Sequence, residues 1–343
     1  MKKERRLARW RAIFFLVAFT LGLTSLSRAK ISVFLSLDYA KGQAETPFSL
    51  GTFYRPILGL SVANEINPKL DYFGQFYVVG EREIHLDEAW LRLRFSSRFT
   101  ARIGLYIVPF GYYNEHSLPF QSWLIQAPLS QEYLYPYRWR DLGGVIEGVW
   151  GDFGYCLYIG NGLAEQAWLA EGQQFSDNNK NKALGGRITW NLGKGLEIGY
   201  SRHQSRYDEQ SQRSMRLGCY HLAWVGESAS LIGEYIRASL ENPSGFAEGE
   251  ASGVFVQGSL RIFGLRPVLS YQKVDYSDPF HGPGFTSSLS SGEGIDLEKK
   301  RWSLGLVYPL FQTVFLKFEY DWNIVENGSK KDDVYFLQAT FIF

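Results

Sequence analysis

The chain repeatedly places a charged side chain at every second position of a short apolar stretch. Arg92 and Arg94 alternate with leucine and phenylalanine, and Lys317, Glu319 and Asp321 alternate with leucine, phenylalanine and tyrosine. Because successive side chains of a β-strand point to opposite faces, this spacing predicts strands with one charged face and one apolar face. The chemistry that a charged face offers is electrostatic, since it attracts, guides or pairs ions.

Patterns that would carry catalysis or hold a metal are absent from the sequence. It has no His-Glu-x-x-His zinc motif, no glycine-rich phosphate loop and no Gly-x-Ser-x-Gly nucleophile elbow. Two cysteines are too few for a disulfide scaffold or a multi-cysteine zinc module. We therefore expect no enzymatic activity, no cofactor and no metal site. The five histidines are scattered, at His85, His116, His203, His221 and His281.

The first 29 residues are predicted to form a cleaved secretory signal peptide. Six basic residues precede an apolar core at 12–23, and Ser27-Arg28-Ala29 supplies small residues at the −3 and −1 positions. A short membrane anchor is the alternative, although the apolar core is too short to span comfortably. Removal of residues 1–29 leaves 29 of the 36 basic and 34 of the 35 acidic residues, a net charge of −5. This balance gives no support to nucleic-acid binding.

The charged and apolar alternation recurs along the whole mature chain and must be positioned by many short strands. At ~3.3 Å per residue and ~45° tilt, a ten-residue strand covers about 23 Å, close to the apolar band of an outer-membrane barrel. The predicted strands are 31–40, 52–64, 68–79, 84–95, 99–108, 141–151, 153–161, 182–192, 195–204, 213–225, 228–240, 252–262, 265–275, 299–308, 313–323 and 333–343.

The connections between these strands alternate in length. Every second connection is a tight turn, whereas the others are mostly long, the exception being 80–83. Outer-membrane barrels combine tight turns at one end with long loops at the other. A soluble β-sandwich or propeller is the alternative, but neither places its long connections at one end. We therefore predict that residues 30–343 form one transmembrane antiparallel β-barrel of about sixteen strands.

Several motifs resemble those of the phosphate-selective porin O and P family. They are LDEAWLRLRF at 86–95, RIGL at 102–105, PFG at 109–111, RDLGGV at 140–145 and YIGNG at 158–162. The aromatic last residue also resembles the carboxy-terminal insertion signal of outer-membrane barrels. The resemblance implies a sixteen-stranded porin that assembles as a homotrimer, with a third long loop folded into the lumen.

Residue parity predicts which charged side chains line that lumen. Apolar residues face lipid, and the charged residues between them face water, because an Arg or Lys at mid-membrane costs ~2–4 kcal/mol. Arginines on the two strands 84–95 and 99–108 are predicted to guide anions; the alternative is a salt-bridge network with the nearby glutamates. The basic set is Arg55, Arg92, Arg94, Arg102, Arg187, Arg261, Arg266, Arg301 and Lys317. The acidic set is Asp38, Asp71, Glu88, Glu147, Glu197, Glu234, Glu319 and Asp321.

Residues 109–140 occupy the place of the third long loop. Within the lumen they would form a constriction; the alternative is a loop that caps the mouth or meets neighbouring subunits. The segment contains no lysine, so we predict a general or weakly anion-preferring channel rather than a phosphate-specific one. The charged residues predicted to frame the constriction are Glu115, Glu132, Arg138 and Arg140 of this segment and Asp141 directly after it.

The sequence thus predicts an outer-membrane diffusion porin for ions and small polar solutes. Its expected partners are outer-membrane lipid, the permeating solutes and further copies of the same chain. Two other functions are compatible with the pattern: a substrate-specific oxyanion channel, and a barrel that anchors the envelope or acts as an adhesin through its long loops.

Overall fold

The computed structural model describes residues 29–80, 83–166, 169–242, 248–277, 297–325 and 332–343. Apart from Ala29, the predicted signal peptide lies outside the described residues. The described residues contain sixteen strands: β1 (Lys30–Gly42), β2 (Thr52–Asn67), β3 (Leu70–Val79), β4 (Glu83–Ser96), β5 (Phe99–Ile107), β6 (Arg140–Trp150), β7 (Phe153–Gly160), β8 (Ala183–Gly193), β9 (Leu196–Arg206), β10 (Ser214–Val225), β11 (Ala229–Leu240), β12 (Gly249–Leu260), β13 (Arg266–Ser277), β14 (Leu297–Phe311), β15 (Val314–Val325) and β16 (Val334–Ile342).

The strands close into one antiparallel barrel. Each strand pairs with the strands before and after it in the chain, and β1 pairs with β16 in a register that joins Leu35 to Phe341. The seven turns at the end that holds both chain termini have two to five residues, and the opposite end carries the long connections. The predicted sixteen-stranded barrel is confirmed, and the sandwich and propeller alternatives are wrong. Closure also removes every unpaired sheet edge.

The two faces of the wall are reversed relative to a protein surrounded by water. On β15, Lys317, Glu319 and Asp321 are buried, whereas Leu316 and Phe318 are exposed. Many large apolar residues on the other strands are exposed in the same way. Such a surface requires apolar surroundings, and buried polar groups require hydrogen-bond partners. The apolar face is therefore the outer face of the barrel, and the polar face is the inner one.

A β-bulge in β4 interrupts the regular alternation. Two adjacent residues of β3, Gln75 and Phe76, pair with Glu88 and Leu86, so Asp87 is an extra residue in the ladder. A bulge redirects side chains locally. Asp87 is fully buried, whereas strict parity assigned only Glu88 to the inner face.

Residues 108–139 connect β5 to β6 and are called here the β5–β6 segment. The segment contains a 3₁₀ helix (Tyr113–His116) and the short α-helix α1 (Leu129–Tyr133). None of the helices among the described residues is both long and apolar enough to cross a membrane. Leu134 and Trp139 of the segment pack in one cluster with Leu217, an inner residue of β10. Among the described residues, the largest apolar cluster therefore lies between this segment and the barrel wall.

Candidate channel lining

Two acidic residues of the wall bind backbone N–H groups of the β5–β6 segment. Tyr112 and Tyr113 donate their backbone N–H to Glu234 Oε1 on β11, at 2.6 and 2.8 Å. The backbone N–H groups of Ile125 and Gln126 donate to Glu319 Oε2 on β15. Carboxylates that accept backbone N–H bonds form stronger hydrogen bonds than neutral acceptors do. The two glutamates therefore hold the segment at two points, at residues 112–113 and at residues 125–126.

Polar groups on other strands add to this attachment. Gly111 donates its N–H to Ser201 Oγ on β9 at 3.0 Å, and Leu129 donates its N–H to Gln272 Oε1 on β13 at 2.9 Å. Lys317 Nζ donates to the carbonyl oxygens of two segment residues, one of them Ser122 at 2.9 Å. Together with β11 and β15, these contacts reach four strands. The segment therefore lies against the polar face of the wall along its length.

Two of the predicted lining arginines pair with predicted segment residues. Arg187 on β8 bonds to Glu115 and donates to the carbonyl oxygen of Gly111 at 2.9 Å. Arg301 on β14 binds both carboxylate oxygens of Glu132, at 2.9 and 3.2 Å. Parity and loop composition predicted these four charged residues separately. The structure brings them together in two ion pairs.

Arg138 and Asp87 form a buried ion pair between the segment and β4. Arg138 Nη2 and Nε donate to the Asp87 carboxylate at 2.5 and 3.0 Å, and both side chains are almost fully buried. Burial by itself lowers the pKa of Arg138, but the Asp87 carboxylate outweighs it and the net shift is upward. Arg138 also has a left-handed backbone, with φ at 47°, and such a conformation persists only where the surroundings hold it.

Arg140 lies in β6 and not in the connecting segment, where it was predicted; Asp141 lies in β6, in agreement with the predicted strand 141–151. Arg140 donates to the carbonyl oxygen of Leu86 at 3.0 Å. Asp141 accepts the backbone N–H groups of Asn161 and Gly162, at 2.8 and 2.9 Å. Asp141 therefore orders the start of the β7–β8 connection. Its side chain is fully buried.

The arginines of β4 share one carboxylate. Arg92 Nε donates to Asp71 on β3 at 3.0 Å, and Arg94 Nη2 is 2.7 Å from the same group. The Arg92 and Arg94 side chains are 30% and 35% exposed, but the Asp71 side chain is only 7% exposed. The guanidinium groups therefore remain partly open to water above a buried counter-ion.

The same arrangement recurs on β1 and β2. Arg55 pairs with Asp38 at 2.6 Å, and the side chains are 29% and 0% exposed. Arg55 also donates to the carbonyl oxygen of Ile125 at 3.3 Å. We call Arg55, Arg92 and Arg94 the exposed-arginine wall.

Further predicted lining residues also have partners, but Arg261 was predicted to line the lumen and instead lies exposed in the turn between β12 and β13. Arg102 bonds to Glu147 at 2.7 Å, and Trp90 Nε1 donates to Glu88 at 2.9 Å. The predicted salt-bridge alternative is therefore present at Glu147, while Glu88 binds an indole instead. Arg266 stacks on the ring of Trp123, 4.3 Å from its centroid.

Sequence reasoning missed two parts of this arrangement. The first is Asp87, since nothing in the residue pattern marks the bulge that turns it inward. The second is the use of Glu234 and Glu319 as acceptors for the segment's backbone, because parity gives the face of a side chain and not its partner. In the described ranges, no cluster of three potential metal-ligating side chains is found.

Comparison with known proteins gives the fold of this chain. The chain matches no protein-family model. It is 24% identical to an uncharacterised protein of Aquifex aeolicus, over 90% of this chain and 78% of that protein.

Three solved structures are similar to the barrel. They are the anion-selective porin from Comamonas acidovorans (TM-score 0.67, 12% identity, 92% of this chain and 99% of that chain), OmpF of Salmonella typhi in complex with daunomycin (0.65, 13%, 92% and 97%) and the trimer form of OmpT of Vibrio cholerae (0.64, 11%, 92% and 99%). At these identities the likeness concerns the fold alone.

Proposed function

We propose that this protein is an outer-membrane diffusion porin that passes ions and small polar solutes. The observation that carries the proposal is the reversed barrel, with charged residues on its inner face and apolar residues such as Leu316 and Phe318 outside. Sixteen strands enclose a lumen wide enough for water, whereas eight are filled by side chains. The porin fold of the structural neighbours supports this function, and so do the motifs shared with the phosphate-selective porin O and P family.

In this proposal the β5–β6 segment folds into the lumen and narrows it. Its support is the set of hydrogen bonds from the segment to inner residues of β9, β11, β13 and β15. A segment held at several points would give a fixed constriction rather than a mobile cap. No reaction is catalysed, and solutes move down their gradients.

We also propose a preference for anions. Its support is the exposed-arginine wall, where Arg92 and Arg94 are open to water and Asp71 is covered. Fixed charges along a pore set the sign of the permeant ion. One structural neighbour is an anion-selective porin. A channel specific for an oxyanion is a second candidate that the same wall favours.

The outer membrane, reached by means of the predicted signal peptide, is the location that fits an apolar outer face and a closed barrel. A homotrimer is proposed as the assembly. The family resemblance implies it, and OmpT of Vibrio cholerae, which has a similar fold, has a structure in a trimer form.

Recording in planar lipid bilayers tests these proposals with refolded protein. We expect stepwise, ohmic conductance and a reversal potential that favours chloride over potassium in a KCl gradient. Saturable block by phosphate or sulfate would replace the general porin with the oxyanion channel. If protein that migrates faster unheated than boiled on a gel conducts no ions, both channel functions are wrong.

A further inference from the structure

Three arginines lie on the outer face of β9, β10 and β11. Arg202, Arg216 and Arg237 are exposed, and the residues that flank them in each strand are buried or partly buried toward the interior. These arginines line an open pocket of about 270 Å³. Tyr200, Tyr220 and Tyr235 also line this pocket.

Strand register brings the three arginines together around a glycine. Gly218 of β10 pairs with Arg202 of β9 on one side and with Arg237 of β11 on the other. Arg216 is the next outward position on β10, and diagonal neighbours in a sheet are roughly 7–8 Å apart. A Cβ atom at Gly218 would lie 3.3 Å from the hydroxyl of Tyr200. No side chain at position 218 stands between the arginines, and Tyr200 borders the space that is left.

Two of these three charges lack a counter-ion. Arg237 binds Glu250 at 2.7 Å. Arg202 and Arg216 have no hydrogen-bond or ion-pair partner in the part of the chain that the structure describes. The inner wall differs, because each of its arginines discussed above has a polar partner. An unpaired guanidinium on the outer face requires an anion or water from its surroundings.

The pocket lies toward the end of the barrel that carries the long connections. Trp224, near the turn at the other end of β10, is also outward-facing and follows Arg216 by eight positions. At ~3.3 Å per residue and ~45° tilt, Arg216 is roughly 19 Å further along the membrane normal. An arginine near an interface costs far less than one at the midplane. Tyrosines also prefer this level, where the ring is apolar and the hydroxyl is wet.

We propose that this outer pocket binds the phosphate group of a lipid in the leaflet next to the long connections. A guanidinium binds two phosphate oxygens at once, and the adjacent tyrosine row offers hydroxyl donors and apolar rings for the lipid's glycerol or sugar region. The apolar outer wall below the pocket would hold the acyl chains. The proposal needs the barrel to span a membrane, but it is independent of channel conductance.

Native mass spectrometry of the refolded full chain tests the proposal with two lipids of identical acyl chains. Dioleoyl phosphatidate carries a phosphate, and dioleoylglycerol does not. We expect phosphatidate to remain bound and dioleoylglycerol to be lost. Equal retention of the two lipids would overturn the proposal. Displacement of phosphatidate by millimolar inorganic phosphate would show a site for the free anion and would also overturn it.

Three variants test the pocket itself. We expect Arg202→Gln and Arg216→Gln each to weaken phosphatidate binding by at least about tenfold, the size of a lost charge-assisted bond. Gly218→Leu should weaken it by filling the space without changing charge. Arg213→Gln is the control, because Arg213 pairs with Glu165 in the connections above the strands. Unchanged affinity in the first three variants, each shown folded by its unheated gel mobility, would overturn the proposal.

A second copy of the chain is the competing occupant of this face. Ser239 also lines the pocket, and a disulfide between Ser239→Cys subunits would place a subunit contact there and overturn the lipid proposal. Conductance separates the lipid site from the porin function. Arg202→Gln should conduct like the unmodified protein because Arg202 faces outward. Lipid discrimination without any conductance would refute the porin and leave the lipid site standing.

Discussion

The inner wall uses its charged residues in two different ways. On β1 to β4, Arg55, Arg92 and Arg94 lie over buried aspartates and stay about one-third exposed. On β11 and β15, Glu234 and Glu319 are buried under the β5–β6 segment and accept its backbone N–H groups. We call the second region the segment-binding wall. The arginines of the first region stay partly open to water, whereas the glutamates of the second region bind the segment.

The difference arises from what covers each wall. Peptide N–H groups taken out of water need acceptors, and a carboxylate opposite them satisfies two at once. The guanidinium groups of Arg92 and Arg94 bond to a wall carboxylate and keep part of their hydration, whereas Arg55 also donates to the carbonyl oxygen of Ile125 in the segment. A charged residue of the inner face is therefore not automatically a residue that selects ions.

The largest effect is expected from Arg138→Gln, which removes one partner of the most deeply buried ion pair described here. Asp87 would then be a buried carboxylate without its counter-charge, at a cost of about 3–5 kcal/mol. Samples heated to a series of temperatures before electrophoresis should lose the faster-migrating folded band at a clearly lower temperature. Arg237→Gln is the control, because its pair with Glu250 is exposed. An equal, small fall in both variants would show that the Arg138–Asp87 pair does not stabilise the barrel.

Glu234→Ala should release part of the segment while leaving the barrel closed. Two backbone N–H groups would lose their acceptor, at about 1–3 kcal/mol each. We expect noisier single-channel currents and a changed mean conductance in planar bilayers.

The matched control is Glu197→Ala, since Glu197 lies on β9 and bonds to His221 instead of the segment. If the two variants give the same quiet current, Glu234 does not hold the segment.

Reversing charge on the exposed-arginine wall should change ion selectivity. A unit charge ~10 Å from an ion in water contributes about 0.4 kcal/mol before salt screening, so the Arg92→Glu, Arg94→Glu double variant should shift the anion-to-cation permeability ratio severalfold toward cations. Reversal potentials in a KCl gradient measure this ratio.

Arg301→Gln tests a covered arginine, since the Arg301 side chain is only 10% exposed and its partner Glu132 is 32% exposed. Removal of the Arg301 charge should change ion selectivity less than the double variant does. The opposite ranking would contradict the assignment of the exposed-arginine wall as the selective region.

The smallest effect concerns salt. Raising the KCl concentration from 0.1 M to 1 M shortens the Debye length from about 10 Å to about 3 Å. An anion preference that comes from partly exposed arginines should therefore weaken at high salt, at a constant gradient ratio. An anion preference that does not change with salt would indicate that it comes from charged residues covered by the β5–β6 segment instead.

The sequence by itself determined the barrel. Period-two alternation, such as that of Lys317, Glu319 and Asp321, depends only on the opposite directions of successive side chains in a strand. The turn and loop lengths are equally local, which is why the strand number, the pairing of neighbours and the inner face of most charged residues were predictable.

Only the tertiary structure decided what each inner charge does. Asp87 turns inward because β3 and β4 pair through a bulge. Arg138, which donates to it, lies 51 positions further along the chain. Glu234 and Glu319 become attachment points because the β5–β6 segment lies on them, while Asp141 orders the start of another connection. These partners are distant in sequence, and the burial that sets their chemistry exists only after the chain has closed around them.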